Sequence, residues 1–447
     1  MVQFDVKPAR FNEKKPKFRL EFIFVFILLF YLVNYHRISK VFMSQSKTNK
    51  VTEKRMKTNT KKIFNRDHYD ICVVGAGLSG AVIAERYASL VGKSILVIDK
   101  RNHIGGNCYD FVDNDTGILM NKYGAHLFHT NYERVWEYVQ KFTKWSKYEH
   151  RVLGKIGKKF VPIPVNIDTV NSLYNLTIAS TIEMDKWLNE EQIKYKEDPK
   201  NSEEMALSRV GPRLYKEIFE PYTIKQWAKH PSELGPEVTA RIPVRNNYDD
   251  RYFGDKYQAL PSKGYTAMFE KMLRNELIET QLNIDYFDVR YDLSCGYTYF
   301  TGPIDAYFAH LGYDKLEYRS LDFERKVIRN IGVNEKHLPA SVVNFPASKY
   351  NFTRIVEYKH FLNQTSPDTV LMLERSKDGG DPYYPVPNNQ NQDLYAKYKN
   401  MALKEPNVSF VGRLANYKYF NMDQSIMNAL ELFDEDLKRL RFTDNIK

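Results

Sequence analysis

The run YDICVVGAGLSGAVIAERYASLVGKSILVID, from Tyr69 to Asp99, constrains this chain more than any other stretch. A β-rich segment, Ile71 to Val74, meets Gly75-Ala76-Gly77-Leu78-Ser79-Gly80; a helical pattern follows, then a second apolar run ending in an acid 24 residues after the first glycine. Strand, glycine turn, helix and strand at this spacing form a dinucleotide-binding βαβ unit. Gly75 permits the tight turn, Gly77 lets backbone approach a pyrophosphate, Gly80 brings helix against strand, and Asp99 can accept hydrogen bonds from an adenosine ribose. The continuation Lys100-Arg101-Asn102-His103-Ile104-Gly105-Gly106-Asn107 adds a second glycine pair, which suits the pyrophosphate and ribityl chain of a flavin better than a nicotinamide cofactor. The expected cofactor is therefore FAD, held by Gly75, Gly77, Ser79, Gly80, Asp99, Lys100, Arg101, Gly105, Gly106 and Asn107.

At 447 residues, 43% of them apolar, the chain has material for two or three packed units. Its formal charge of +11 suggests nucleic acid or membrane until it is located along the sequence. Residues 1–67 hold 16 Lys plus Arg against 5 Asp plus Glu; residues 68–447 hold 50 of each. The body is neutral, which excludes a nucleic-acid groove on it. Residues 1–67 read as a basic leader with twelve unbroken apolar residues, Phe22 to Val33, and a polar linker. Twelve is short for a bilayer span, so residues 20–35 are expected to give a membrane tether or a signal-type core. Cys72, Cys108 and Cys295 are far apart and form no CxxC pair, so neither a zinc site nor a disulfide framework is indicated. Unpaired cysteines point to a reducing compartment.

Beyond the nucleotide-binding part (68–150), the sequence divides into a mainly helical unit (151–240) that could act as a lid, an antiparallel-sheet unit (241–375) and a C-terminal return to the first part (376–447). In EEMALSRVGPRLYKEIFEPYTIKQWAKHP, Pro212 should break the helical pattern after Gly211, and Pro221 should end the next segment. From Pro243 onward, alternating aromatic and polar residues suggest strands with one solvated face. His126 and His129 in KYGAHLFHTN would share one face of a helix. VSFVGRL reads as a strand returning to the nucleotide fold, followed by a final helix. The fold class is thus α/β: a Rossmann-like FAD domain of discontinuous segments, a helical lid and an antiparallel sheet.

The strings GAGLSGAV, DKRNHIGGN, KYGAHLFHT, PYTIKQW, RIPVR, FTRIVEYKHF, DPYYPV and GRLANYKYFNMDQ, in this order, resemble the prokaryotic-type UDP-galactopyranose mutases over roughly residues 68–435. The resemblance implies an isomerase that interconverts UDP-galactopyranose and UDP-galactofuranose without net redox change. Reduced flavin N5 would attack the anomeric carbon, and the sugar would open through a flavin iminium. It also implies an NAD(P)H or other reductant and a homo-oligomer. Carried over residue by residue, it puts Arg354, Tyr384 and Tyr419 on the substrate diphosphate, with Tyr222 and Arg213 as further substrate contacts. His129 would sit at the flavin face, with His126, Arg413 and Met422 beside the cofactor. Asn421 stands where the family has an acid, with Asp423 two residues on, and Arg213 is displaced by one from the family's lid pattern. The rival reading is a flavin oxidoreductase of the amine-oxidase or desaturase type, which has no need of a diphosphate site.

Sequons include those that begin at Asn175, Asn351, Asn363 and Asn407. Asn351 lies three residues before Arg354, and a glycan there would obstruct the substrate site. With the unpaired cysteines, this gives the expectation of a cytoplasmic body, tethered or free.

Overall fold

The computed structural model describes residues 64–444, with side chains to Arg439; the apolar segment and basic leader lie outside the described residues. Among the described residues no helix is long and apolar enough to cross a membrane.

Tyr69–Val74 and Ile95–Asp99 are the central strands of a five-stranded parallel sheet. The sheet runs in the order Ile278–Leu282, Ile95–Asp99, Tyr69–Val74, Cys295–Phe300, Val408–Phe410. Burial on both faces explains why ICVV and ILVI are continuous apolar runs rather than alternating ones. Helix Leu78–Arg86 covers one face, and Met422–Asp444 packs on it through Ile426, Ala429 and Phe433. The close approach depends on Gly80, where a Cβ would lie 1.9 Å from the carbonyl oxygen of Gly75. The phenols of Tyr87 and Tyr299 (2.6 Å apart) and the Asp436 carboxylate tie the two helices to the sheet.

A second, seven-stranded sheet has the order Tyr384–Pro385, Tyr318–Ile328, Thr369–Asp378, Arg354–Glu357, Val342–Asn344, Val152–Ile156, Lys159–Ile163. It is antiparallel except where Val342–Asn344 runs parallel to Val152–Ile156. Helices Ile167–Tyr174, Thr181–Glu191 and Ser202–Leu214 follow. Asn166, Ser180 and Asn201 cap them, each accepting from a backbone N–H three residues on. At Gly211 the backbone leaves helical values, with φ 73°. Pro221 opens the helix Glu220–Trp227 instead of ending one, because the first turn needs no N–H donor there.

The units differ in extent from the sequence reading. The stretch from 151 begins with two strands of the seven-stranded sheet, and the stretch from 241 supplies two strands of the parallel sheet. Within it, Gly264–Met272 is a helix, with Tyr265, Met268, Phe269 and Met272 buried at helical spacing. Its first N–H groups donate to the distant Asp110 carboxylate, from Tyr265 at 2.6 Å and from Thr266 at 2.8 Å. His126 and His129 do not share a helix face: Phe128–Thr130 is a strand paired with Tyr257–Pro261, and His126 precedes it.

The cysteine expectation is corrected as well. Cys72 and Cys295 form a disulfide, their Cα atoms 5.8 Å apart across adjacent parallel strands. A separation of 223 residues hid the pair from any spacing rule. Cys108 is free and buried.

Candidate active site

A cavity of about 320 Å³ opens at the carboxyl ends of the three central parallel strands, where Val74, Asp99 and Phe300 end them. Its lining includes Gly75, Gly77, Ser79, Asp99, Lys100, Arg101, Gly105, Gly106, Asn107, His126, Arg413 and Met422. Every cofactor residue expected from the sequence is there except Gly80, whose part is the helix–strand contact described above.

Two features fit this cavity to a dinucleotide cofactor. The first is a floor without side chains. At Gly75 (φ 107°) a Cβ would lie 2.1 Å from Thr301 Oγ1, and at Gly106 (φ 55°) it would lie 2.9 Å from the Gly77 Cα. Helix Leu78–Arg86 opens at the same floor, where its first N–H groups would stabilise a pyrophosphate. The second is Asp99, held at its strand end by the Ala76 N–H (2.8 Å) and the Arg101 N–H (2.9 Å), with acceptor capacity left for a ribose. Arg101 is fixed in turn by Asn107 (2.9 Å) and Asp381 (3.2 Å).

The lining also takes in His126, Arg413 and Met422. His126 donates Nδ1–H to the Gly124 carbonyl at 2.8 Å. Burial, reinforced by Arg413 and Arg354, pulls its pKa down to about 4, so the ring is neutral at physiological pH. His129 does not line the cavity: its ring stacks on Phe253 at 3.6 Å, and its Nδ1 bonds Asp255 at 2.9 Å.

Beyond Arg413 the chain gathers aromatic and cationic groups. Tyr384 and Tyr419 stack with centroids 5.0 Å apart, and Trp227 leans on both at 6.4 and 6.1 Å. Arg413 lies 5.7 and 5.4 Å from the two phenol rings, and its Nε donates to the Phe420 carbonyl at 2.9 Å. Arg241 sits 4.0 Å over the Tyr419 ring and donates to Asn421 Oδ1 at 3.2 Å. Arg354 is placed by strand register directly opposite Glu374, and its Nε bonds that carboxylate at 2.5 Å. Its field reaches the Tyr222 and Tyr384 phenols.

These charges separate the two stacked phenols. Burial pushes Tyr384 above the ordinary tyrosine range. Burial acts the same way on Tyr419, but the Arg241 and Arg413 guanidiniums outweigh it and bring the phenol below that range. Tyr417, buried and hydrogen-bonded to the Glu317 carbonyl at 2.6 Å, props the segment that carries Tyr419.

The structure thus joins Arg354, Tyr384, Tyr419, Tyr222 and Arg413, and leaves Arg213 elsewhere. Arg213 is paired with Glu191 at 2.5 Å and stacked on Tyr174 at 4.5 Å. Arg241, Trp227 and Glu374 were missed as site residues. RIPVR and PYTIKQW carried a signal for the first two; only strand register could reveal the third.

Known proteins agree with this geometry. A family model described as UDP-galactopyranose mutase matches residues 217–419, and one described as an NAD(P)-binding Rossmann-like domain matches residues 73–142. A Klebsiella pneumoniae protein named "Probable UDP-galactopyranose mutase" is 37% identical over 82% of this chain and 94% of its own length. The chain belongs to the UDP-galactopyranose mutase family. The Mycoplasma genitalium UDP-galactopyranose mutase is 32% identical over 82% of this chain and 94% of its own, and a dTDP-fucopyranose mutase of Escherichia coli is 36% identical over 81% and 96%. In fold, a reduced UDP-galactopyranose mutase crystal structure superposes with TM-score 0.66 at 20% identity, covering 83% of this chain and 94% of that one. The family resemblance seen in the sequence strings is thereby established, with its α/β fold.

Proposed function

We propose that this chain interconverts UDP-galactopyranose and UDP-galactofuranose on a reduced FAD. The observation that supports it most is the cleft beside the flavin cavity, where Arg241, Arg354 and Arg413 surround the stacked Tyr384–Tyr419 pair. Arg354 is matched by Glu374, whereas Arg241 and Arg413 make no ion pair among the described residues and bond to an amide and to backbone carbonyls. Two unmatched positive charges suit a diphosphate of about two negative charges.

When bound, the reduced flavin would supply a nucleophilic nitrogen to the anomeric carbon, so that no side chain of the protein need act as the nucleophile. The protein's own task is to hold the diphosphate and favour its departure. Arg413, on both the cavity lining and the phenol stack, links the two halves of the reaction. Tyr384 remains a protonated donor across the working pH range. Tyr419 is the readier proton donor to the leaving oxygen, because its neighbouring guanidiniums stabilise the phenolate that results. Trp227 packs against the Tyr384–Tyr419 pair, and the Tyr222 phenol lies within the field of Arg354. A reductant, NAD(P)H among the candidates, is needed once to prime the flavin and is not consumed by turnover.

The test is product analysis by chromatography after incubating the full chain, reduced by dithionite, with UDP-galactofuranose. Formation of UDP-galactopyranose that ceases on flavin oxidation supports the reading. A chain that converts only the dTDP-linked fucose pair would keep the chemistry and change the substrate. No conversion of either, with no UDP binding, removes the reading.

A further inference from the structure

Two observations outside the active site point to where this chain matures. The first is the disulfide between Cys72 and Cys295. Such a bond persists in oxidising compartments, whereas cytosolic thiol pools keep cysteines reduced. It withdraws the cysteine argument for a reducing compartment.

The second is the placement of three sequons. Asn175, Asn363 and Asn407 are all exposed, and all sit at positive φ, 53°, 51° and 57°, on turns that close a helix or lead into a strand. Asn175 uses only Oδ1, accepting from Lys159 Nζ at 3.1 Å, which leaves its amide nitrogen open. The side chains of Asn363 and Asn407 make no hydrogen bond among the described residues. The residues at the second position after each, Thr177, Thr365 and Ser409, complete the acceptor signal. Two further sequons are set apart: Asn351 by its position three residues from Arg354, and Asn114-Asp115-Thr116 by an Asp115 paired with Arg325 and a buried Thr116 whose hydroxyl donates to Asp113 at 2.7 Å.

We propose that the body passes through an oxidising lumen and carries N-linked glycans on Asn175, Asn363 and Asn407. In each transfer the asparagine amide nitrogen bonds to the anomeric carbon of an oligosaccharide carried on a lipid diphosphate. The sugar–phosphate bond breaks, the lipid diphosphate leaves with the electron pair, and the amide proton passes to the transferase. Nothing in this depends on the sugar-nucleotide reading of the active site.

The full chain is expressed in a eukaryotic cell line with an intact secretory pathway, and its mass is measured before and after peptide-N-glycosidase. The expected result is a loss equal to three glycans, with one fewer in each of Thr177→Ala, Thr365→Ala and Ser409→Ala. These variants remove the signal while keeping the asparagine whose left-handed turn a replacement would strain. Peptide mapping without reduction is expected to recover Cys72 linked to Cys295. A wild-type mass unmoved by the glycosidase overturns the proposal, as does modification confined to Asn351.

Discussion

Replacing Arg354 by alanine removes one member of a cross-strand ion pair whose other member, Glu374, is 1% exposed. The carboxylate keeps its burial and loses its counter-charge; one of its oxygens, Oε1, already has no hydrogen-bond partner. Breaking a buried pair from one side costs about 3 kcal/mol at the low end of measured cases, and here Arg354 retains partial access to solvent. For a body of this size that is a fall of roughly 5 °C in the unfolding midpoint. The same arginine is proposed to contact the substrate diphosphate, and losing one charge-assisted contact there would cost about 3 kcal/mol more, two orders of magnitude in kcat/KM.

The two effects separate in the double variant Arg354→Ala/Glu374→Gln. Neutralising the orphaned carboxylate should restore several degrees of the midpoint and none of the activity. Thermal melting followed by flavin release, together with steady-state kinetics on wild type and both variants, reads the two quantities independently. Recovery of kcat/KM in the double variant would refute the argument, because it would show that Arg354 acts only by holding Glu374 and never touches the diphosphate.

Other consequences are as direct. Arg241→Ala should lower kcat/KM by about a hundredfold, whereas Arg213→Ala, whose side chain is committed to Glu191 and Tyr174, should change it by less than about threefold. Gly75→Ala meets both a φ of 107° and the Thr301 hydroxyl, so the purified variant should show a reduced ratio of flavin to protein absorbance. His126 and His150 have pKa values lowered by burial to about 4 and about 3, below the unfolded value near 6.5. The unfolded chain therefore binds more protons than the native one in that window. Stability should be fully present above about pH 6.5 and fall as pH drops toward 4, and His126→Asn should flatten part of that slope in melting curves recorded from pH 7 to 4.5.

The nucleotide half of the site was legible because its chemistry is written locally: glycines where backbone must approach, and an acid at a strand end. The grouping of Arg354, Tyr384 and Tyr419, proposed to hold the diphosphate, could be read only through longer strings, since these residues lie on segments that meet through sheet topology. Where local pattern and distant partner disagreed, the reading failed. Gly264–Met272 carried helical spacing all along, but its N-terminus is stabilised by Asp110, 155 residues away in sequence from Tyr265. Arg213 lies in the last turn of one helix and Arg241 just after another, and only packing shows which one reaches Tyr419. Cys72 and Cys295 became a pair only when their strands became neighbours.

The phosphate half has a further property that follows from its construction. Arg241, Arg354, Tyr384 and Tyr419 come from four separated segments, and Asn421 offers Arg241 an amide where a carboxylate would have given it a counter-charge. The backbone around Arg241 is tied down by Arg209, which donates to the Thr239, Ala240 and Ile242 carbonyls, but the Arg241 guanidinium itself is held over Tyr419 by a hydrogen bond to an amide and a cation–π contact, with no counter-charge among the described residues. A dianion placed between Arg241 and Arg413 supplies the missing charge and binds these segments to one another. Since a ligand shifts an equilibrium only by its differential affinity, the cleft should be markedly more ordered with UDP than without. Hydrogen exchange across residues 236–256 reads this: protection gained on adding UDP supports the construction, and protection already complete in its absence would show that the arginine is locked before the substrate arrives.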